Sequence, residues 1–376
     1  MTRAAAWALV GVLAAAAPAA AEIFKVDKFS ASGDFRFRGE TDWDSQDGNG
    51  AAREDRTRLR VRLRIGFRYD PSEHWTLEAR IRSGAEGSQQ SPHITILDFD
   101  DNDTGDASFD LDKWSLRGQR NGFHAWAGRN SLPFWKQNEL LFDDDATMPG
   151  IAGGWQGKAG PGALALTAGC FATPVGMRRT SGTMFGAQAA WQPELGGIRW
   201  TFALGTYQFD ADADDPDAAL LQQGNGSRDY RIIGASAQGR VNVDERPLAI
   251  GFDLLHNAED YSALDPNPVT ALNADQTDGY VVQVNYGGLS AADQWLAGYT
   301  YAHIETFAVH NSYAQDDWVR WGSDTQTRAS NMKGHELRFG WAFESTLHVL
   351  ARLYLAEAIT NVEDGKRFRV DFNWSF

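Results

Sequence analysis

Cysteine and long apolar segments are almost absent from this sequence. Cys170 is the only cysteine among 376 residues, which excludes the internal disulfide framework that many small exported domains use. The longest apolar run, residues 4–17, is shorter than the roughly 20 residues that a membrane-spanning helix requires, so helical anchoring is not expected. Lys and Arg number 35 against 50 Asp and Glu, and this acidic balance argues against a nucleic-acid partner.

The N-terminal residues have the form of a secretory signal. Arg3 precedes the apolar run, and the small residues Ala19, Ala20 and Ala21 follow it. This arrangement predicts a signal peptide over residues 1–21, cleaved after Ala21, and therefore an exported protein. No linker or change of composition divides the remainder, so residues 22–376 are predicted to form a single domain.

Alternation of apolar and charged residues is clearest over residues 57–69. Every second residue there is apolar, and the intervening ones are mostly arginine. A period of two is typical of a β-strand with one apolar and one cationic face. Shorter alternating segments recur along the chain, each about as long as a tilted strand that crosses a bilayer. They lie at residues 75–81, 198–204, 280–286, 295–301, 337–343 and 347–353.

This repetition predicts an all-β fold, a transmembrane antiparallel β-barrel of sixteen strands. Fourteen or eighteen strands remain alternatives, because residues 109–117, 150–170 and 229–240 alternate poorly. Long connections alternate with tight turns, as expected when both chain ends lie on the periplasmic side. The candidate strands are residues 31–39, 57–69, 74–82, 109–117, 122–130, 150–157, 162–170, 183–192, 197–208, 229–240, 246–256, 278–287, 293–304, 334–343, 346–356 and 366–376. The long connections are residues 40–56, 83–108, 131–149, 209–228, 257–277 and 305–333.

The arginines of the early strands are predicted to face the barrel interior. An arginine on the lipid side at the bilayer midplane costs about 2–4 kcal/mol, so several on one strand would prevent insertion. Inside the barrel they would form a basic wall across the first three strands and the last. Two interpretations stay open: the wall selects solutes, or its arginines pair with carboxylates and hold water. The predicted wall consists of Arg36, Arg38, Arg58, Arg60, Arg62, Arg64, Arg80, Arg82, Arg367 and Arg369.

The last strand pattern ends on an aromatic residue. Phe368, Val370, Phe372, Trp374 and Phe376 alternate with polar residues up to the C-terminus. This ending resembles the signal that the barrel assembly machinery of the outer membrane reads, which assigns that role to Phe376. Trp and Tyr residues near the strand ends fit interfacial aromatic girdles, in contact with outer-membrane lipid and lipopolysaccharide.

Residues 128–155 carry the most distinctive motif, GRNSLPFWKQNELLFDDDATMPGIAGGW. The segments GDFRFR, TRLRVRLRIGFRY and FDLDKWSLR precede it in that order. Together they resemble the putative-porin families of proteobacterial outer membranes, and the arginine-rich early strand also resembles the alginate-export type of barrel. The resemblance implies an outer-membrane porin that passes small polar or charged solutes by passive diffusion. It implies no metal, cofactor or chemical step. The protomers are expected either to assemble as a homotrimer or to stay single.

In sixteen-stranded porins the third long loop folds inward and narrows the channel, and here that loop is residues 131–149. Its acidic residues Glu139, Asp143, Asp144 and Asp145 are candidate constriction residues opposite the basic wall. A transverse field between loop and wall would favour polar and charged solutes over apolar ones. In the alternative interpretation, residues 143–145 cap a turn or bind the wall and never meet the solute.

Other functions have less support in the sequence. A specific channel or exporter for an anionic oligo- or polysaccharide would use the same arginines as a track. Lipid hydrolysis would need a compact Ser/His arrangement, and no Gly-x-Ser-x-Gly elbow occurs. The stretch that begins at Asp98 has Asp103 in place of the sixth-position glycine of an EF-hand and no glutamate at the twelfth position, which leaves solvated charge or weak divalent binding near lipopolysaccharide. A soluble all-β protein would not explain the arginine alternation together with the terminal Phe.

Overall fold

The computed structural model describes residues 22–100, 107–320 and 327–376. The predicted signal peptide, residues 1–21, lies outside the described residues, as do residues 101–106 of the acidic stretch considered for divalent binding. The helices in the described parts are one α-helical turn, α1 (Pro268–Leu272), and two 3-10 segments, Pro216–Leu220 and Gln222–Ser227. None of these helices is long and apolar enough to cross a membrane.

Most of the described chain is β-strand. The strands, in chain order, are β1 (Glu22–Val26), β2 (Phe29–Trp43), β3 (Ser45–Gln46), β4 (Ala52–Arg53), β5 (Arg56–Ser72), β6 (Trp75–Ser83), β7 (Ile94–Asp98), β8 (Phe109–Arg120), β9 (Phe123–Ser131), β10 (Thr147–Ala159), β11 (Gly162–Val175), β12 (Arg179–Leu195), β13 (Ile198–Asp210), β14 (Tyr230–Val243), β15 (Arg246–Asn257), β16 (Asp278–Gly287), β17 (Trp295–Ile304), β18 (Met332–Ala342), β19 (Leu347–Ala358) and β20 (Asp364–Ser375).

Sixteen of these strands form the wall of a closed antiparallel barrel. Each wall strand pairs with the next wall strand along the chain, and β20 pairs back with β2. The remaining four are short: β1 pairs with the start of β2, β3 and β4 form a hairpin in the first long loop, and β7 pairs with one end of β5. The predicted fold class and the count of sixteen wall strands are therefore confirmed.

The two ends of the barrel differ in the length of their connections. At one end, which we name the turn end, tight turns join consecutive strands. In the turn from β8 to β9, Asn121 (φ 51°) and Gly122 (φ 83°) both adopt the left-handed conformation, which gives the turn a twist that suits a hairpin. The long connections all lie at the opposite end, the loop end. The predicted third loop ends slightly earlier than expected, because β10 already begins at Thr147.

Alternation along the wall strands separates an apolar outer face from a polar interior. Leu77, Ile81, Phe339 and Phe372 are among the large apolar residues exposed on the outer face. The arginines of β2, β5 and β20 point the other way and are partly or fully covered, with Arg38 only 2% exposed. The wall arginines thus occupy the interior, as the cost of placing them in lipid requires.

The interior also contains two apolar clusters, which the sequence analysis did not predict. One joins Phe134 and Phe142 of the third loop to Trp126, Phe171 and Tyr207 of the wall. The other joins the segment between β17 and β18 to inward residues of the same half of the barrel; its members include Leu140, Leu255, Val281, Ala302, Trp318 and Tyr354. The long loops therefore fold into the barrel and pack against the half of the wall that faces the arginines.

The last residue closes the barrel beside the first wall strand. The backbone N–H of Phe376 donates to the carbonyl oxygen of Gly33 at 2.9 Å, and the N–H of Gly33 donates back at 2.6 Å. A Cβ added to Gly33 would lie 2.6 Å from the Phe376 ring, so glycine is needed for this approach. β1 continues the ring beyond this point by pairing with residues 29–32 of β2.

Candidate functional site

The register of β2 and β5 places the basic wall in five rows. The outer rows pair an acid with an arginine, as Glu40 does with Arg58. The two central rows instead place two arginines directly opposite each other. Like charges in this position are destabilising unless other groups compensate them. The rows, from the turn end to the loop end, are Asp34 with Arg64, Arg36 with Arg62, Arg38 with Arg60, Glu40 with Arg58, and Asp42 with Arg56.

Carboxylates from the neighbouring strand β20 and from the inward loops compensate the central rows. Asp371 of β20 accepts a hydrogen bond from Nε of Arg38 at 2.6 Å. On the same strand, Nη1 of Arg369 lies 2.6 Å from Oδ1 of Asp317, and Nε of Arg367 lies 2.6 Å from Oδ1 of Asp42. The wall is thus a network of ion pairs that includes most of its arginines.

The third loop reaches the wall through a single carboxylate. Oδ1 of Asp145 lies 2.6 Å from Nη1 of Arg64 and 3.2 Å from Nη1 of Arg62. Asp144 instead pairs within the loop, 2.7 Å from Nζ of Lys136, and its side chain is 65% exposed. Asp143 accepts the backbone N–H of Asp145 at 2.7 Å, as the turn-capping interpretation predicts. Of the four candidate constriction residues, only Asp145 therefore bridges loop and wall.

The fold of the third loop follows from its apolar side chains. The ring of Phe134 packs edge-on against Tyr207, with centroids 5.1 Å apart. A Cβ added to Gly186 would lie 2.4 Å from the Phe134 ring, so the close approach of the loop to the wall depends on a wall residue without a side chain. Gln188 fixes the backbone of Trp135 with two hydrogen bonds, one accepted at 2.7 Å and one donated at 2.8 Å. With its apolar residues held on one wall, the loop presents its acidic end to the opposite wall.

A second inward segment, residues 305–320 and 327–331, lies beside the third loop. The sequence predicted a long connection here but gave no sign that it enters the barrel. The N–H of Gln315 donates to the carbonyl of Glu139 at 3.1 Å, and its Nε2 donates to Oε2 of Glu139 at 2.7 Å. Asp317, which pairs with Arg38 and Arg369, is therefore a site residue that the sequence analysis missed. The acidic pair of Asp316 and Asp317 beside a tryptophan is the only sequence feature that could have suggested it.

The inward loops hold carboxyl groups in contrasting electrostatic environments. Burial and the neighbouring Asp144 raise the pKa of Glu139 to about 8. Burial and Glu139 also raise the pKa of Asp143 well above its usual range. Burial alone would raise the pKa of Asp145 as well, but the attraction of Arg62 and Arg64 lowers it below that range. At neutral pH the wall therefore faces an ionised Asp145, while Glu139 keeps its proton.

Raising the pH is expected to loosen the two inward loops. The pKa of Glu139 in the folded loop, about 8, lies above its ordinary value of 4.5, so its contribution to loop packing is complete at low pH and is lost as the pH rises through about 8. Single-channel conductance measured between pH 6 and 9.5 should rise with a midpoint near 8. The Glu139→Gln variant should show no such rise, whereas Glu86→Gln, in another loop, should keep it. A rise that persists in Glu139→Gln would contradict this assignment.

Three predicted site residues lie outside the ion-pair network of β2, β5 and β20: the wall residues Arg80 and Arg82, and the assembly residue Phe376. Arg80 pairs with Asp112 at 2.6 Å on the adjacent strand. Arg82 is 1% exposed and donates to the carbonyl of Ser88, so it anchors a loop rather than facing the interior space. The ring of Phe376 lies beside that of Trp374 at the closure of the barrel, with centroids 5.2 Å apart and ring planes tilted by 50°.

Comparisons with known proteins agree with this architecture. A family model described as "Putative porin" matches residues 47–240, just over half of the chain. Among solved structures, the high-pH structure of Pseudomonas putida OprB is 14% identical, covers 93% of this chain and 94% of its own, and has a TM-score of 0.58. Its low-pH structure has a TM-score of 0.52 at 14% identity and 93% coverage of both chains. Acinetobacter baumannii OccAB1 has a TM-score of 0.50 at 10% identity and covers 94% of this chain and 98% of its own. These structures are similar in fold. No curated protein matches the sequence.

Proposed function

The chain belongs to the putative porin family and is a passive channel of the outer membrane, and on this basis we propose that its solutes pass a constriction between the inward loops and the arginine wall. The observation that carries the proposal is Asp145, which extends from the third loop to Arg62 and Arg64. Where this contact joins the negative loop to the positive wall, a solute that passes beside it meets a transverse field that favours polar and charged solutes.

Conductance of the purified protein tests this proposal. Refolded protein in a planar bilayer should give stable single-channel steps under an applied voltage, and the reversal potential under a KCl gradient reports the ion preference of the constriction. Uncharged sugars of increasing size should stop permeating at a defined radius, because the loops narrow the passage. The proposed constriction would be contradicted if no conductance steps appeared. It would also be contradicted if sugars as wide as the bore of an empty sixteen-stranded barrel still permeated.

The balance of charge on the wall supports a second candidate, a specific channel for an anionic oligo- or polysaccharide. The wall formed by β2, β5 and β20 carries nine arginines. Two are on β2 (residues 36 and 38), five on β5 (every second residue from 56 to 64) and two on β20 (residues 367 and 369). Among the described residues, six carboxylates pair with them: Asp34, Glu40, Asp42, Asp145, Asp317 and Asp371. Small, strongly anion-selective currents that an oligouronate blocks would favour this candidate over a general porin.

We propose further that residues 1–21 are a cleaved signal peptide, that Phe376 is read by the barrel assembly machinery, and that the protein forms a homotrimer in contact with lipid and lipopolysaccharide. A shallow apolar depression on the outer face of β8–β13 supports the homotrimer, because the small residues that line it, such as Ala125, Ala127 and Ala168, would let a neighbouring barrel approach closely. Native mass spectrometry of the exported protein should give three copies per particle, each beginning at Glu22. Single copies, or an uncleaved N-terminus, would contradict the corresponding part.

A further inference from the structure

His93 is a buried histidine whose ring has no evident structural role. His93 is the last residue of the connection between β6 and β7, directly before β7 begins, and it is 9% exposed. Within the described residues its Nε2 is buried and has no hydrogen-bond partner. A buried polar atom without a partner costs free energy, so such an atom in a folded protein calls for an explanation.

The segment that carries His93 is held firmly in place. Gln89 and Gln90 donate from their side-chain amides to backbone carbonyls of the second inward segment, including those of Ser312 and Asn311 at 2.8 Å each. On the wall side, Nη2 of Arg60 donates to Oγ of Ser91 at 3.0 Å. The position of the imidazole is therefore set by contacts on both sides, and the unpaired Nε2 lies in a defined place.

The register of the sheet places His93 in a row with two arginines. Val61 pairs with Ile94, so the next position along β5 brings His93 beside Arg62. Arg62 in turn pairs with Arg36 of β2, and Arg36 pairs with Asn373 of β20. With strands about 4.8 Å apart, Arg36 and His93 flank Arg62 at roughly 10 Å from each other. This row, which we name the donor row, consists of Asn373, Arg36, Arg62 and His93 and contains no carboxylate.

Within the donor row, Arg36 is the arginine that no carboxylate neutralises. Its Nε donates to Oδ1 of Asn373 at 2.7 Å, and it makes no ion pair among the described residues. Arg62 is already paired with Asp34 and Asp145. Burial and the charges of Arg38, Arg60, Arg36 and Arg62 hold the pKa of His93 well below its usual range, so the ring is neutral and can donate one N–H. The terminal N–H groups of the partly buried Arg36 guanidinium and the buried Nε2 of His93 thus have no hydrogen-bond partner among the described residues.

We propose that the donor row binds the oxyanion group of a passing solute, a carboxylate or a phosphate. Arg36 supplies a planar fork of N–H donors that suits either group, and His93 supplies a neutral donor from the loop side. Among the described residues this wall has three more arginines than carboxylates paired with them, which gives a bound anion a favourable electrostatic potential. The inference deepens the proposed function, since it rests on the channel and assigns it small organic acids or phosphorylated compounds as preferred solutes.

Blockade of single-channel current tests the donor row. Wild-type channels in KCl are titrated with sodium acetate in one arm and sodium phosphate in the other, and the dwell time and frequency of partial closures give an apparent Kd for each anion. We expect a saturable block in at least one arm, and the more effective anion identifies the solute group. The Arg36→Gln and His93→Ala variants should each weaken the block about 10-fold or more, because each loses a hydrogen bond to a charged group.

A matched variant separates the donor row from the general charge of the interior. Arg199→Gln removes one inward arginine from β13, on the opposite wall, and should leave the apparent Kd within about twofold of wild type. Blockade by neither anion, or an unchanged Kd in both Arg36→Gln and His93→Ala, would overturn the donor row while conductance continues. Failure of the channel itself would appear differently, as no conductance in any variant.

Discussion

Asp145→Asn is expected to move the reversal potential under a KCl gradient toward that of chloride. Asp145 is the one carboxylate of the third loop that contacts the wall, and its lowered pKa keeps it ionised at neutral pH. Removing the charge leaves Asp34 as the one carboxylate that pairs with Arg62 and Arg64 among the described residues, so the wall attracts anions more strongly. A unit charge about 10 Å from the path of an ion acts on it with about 0.5 kcal/mol, close to the value in water, and in opposite directions for chloride and potassium. The chloride-to-potassium permeability ratio changes by twice that energy and should therefore rise about fivefold.

Asp144→Asn is the matched control for this measurement. Both variants remove one carboxylate from the same loop, but Asp144 is paired with Lys136 and largely exposed, away from the wall. Its removal should shift the reversal potential much less than Asp145→Asn does. Equal shifts in the two variants would mean that the loop acts only through its total charge, and no shift in Asp145→Asn would contradict the constriction.

Asp371→Asn is expected to destabilise the folded barrel by about 3–5 kcal/mol, because it removes the more deeply buried of the two carboxylates that Arg38 and Arg369 share, Asp371 and Asp317. Asp371 is 1% exposed and lies 2.6 Å from Nε of Arg38 and 3.2 Å from Nε of Arg369. Urea unfolding in lipid vesicles, followed by tryptophan fluorescence, would give the change in the free energy of unfolding.

Asp70→Asn provides the comparison at an exposed ion pair. Asp70 and Arg68 lie 2.8 Å apart at the turn end, with 40% and 49% of their side chains exposed. Exposed pairs contribute about 1 kcal/mol or less, so this variant should unfold close to wild type. Equal losses of stability in Asp70→Asn and Asp371→Asn would show that the interior network contributes no more than surface charge.

Local alternation was sufficient to predict the wall where one face meets lipid and the other meets water. The arginines of residues 57–69 pointed inward as predicted, because β5 is apolar on one side only. Two of the three segments that alternated poorly, residues 150–170 and 229–240, share a physical reason: inward residues of theirs contact the packed loops and are apolar or small too. Ala152, Tyr230 and Ile232 are buried in this way, so these segments become apolar on both faces.

The details of the site depend on contacts between distant segments, which no local pattern records. Asp143, Asp144 and Asp145 are adjacent in sequence and looked equivalent, yet only Asp145 reaches the wall. His93 belongs to the donor row because the short strand β7 pairs with β5, and this pairing skips over β6. The inward fold of residues 305–320 likewise rests on hydrogen bonds to the third loop and to Gln90. Register and tertiary packing decide these positions.

The two apolar clusters impose an order on the maturation of the protein. The first draws residues from β9, β11, β13 and β14 together with the third loop, so the surface that receives the loop does not exist until those strands have paired. The loops can therefore settle only after most of the wall has formed. A newly closed barrel begins with a wide bore and narrows afterwards, so the final width of the passage is set late, by the docking of its own loops.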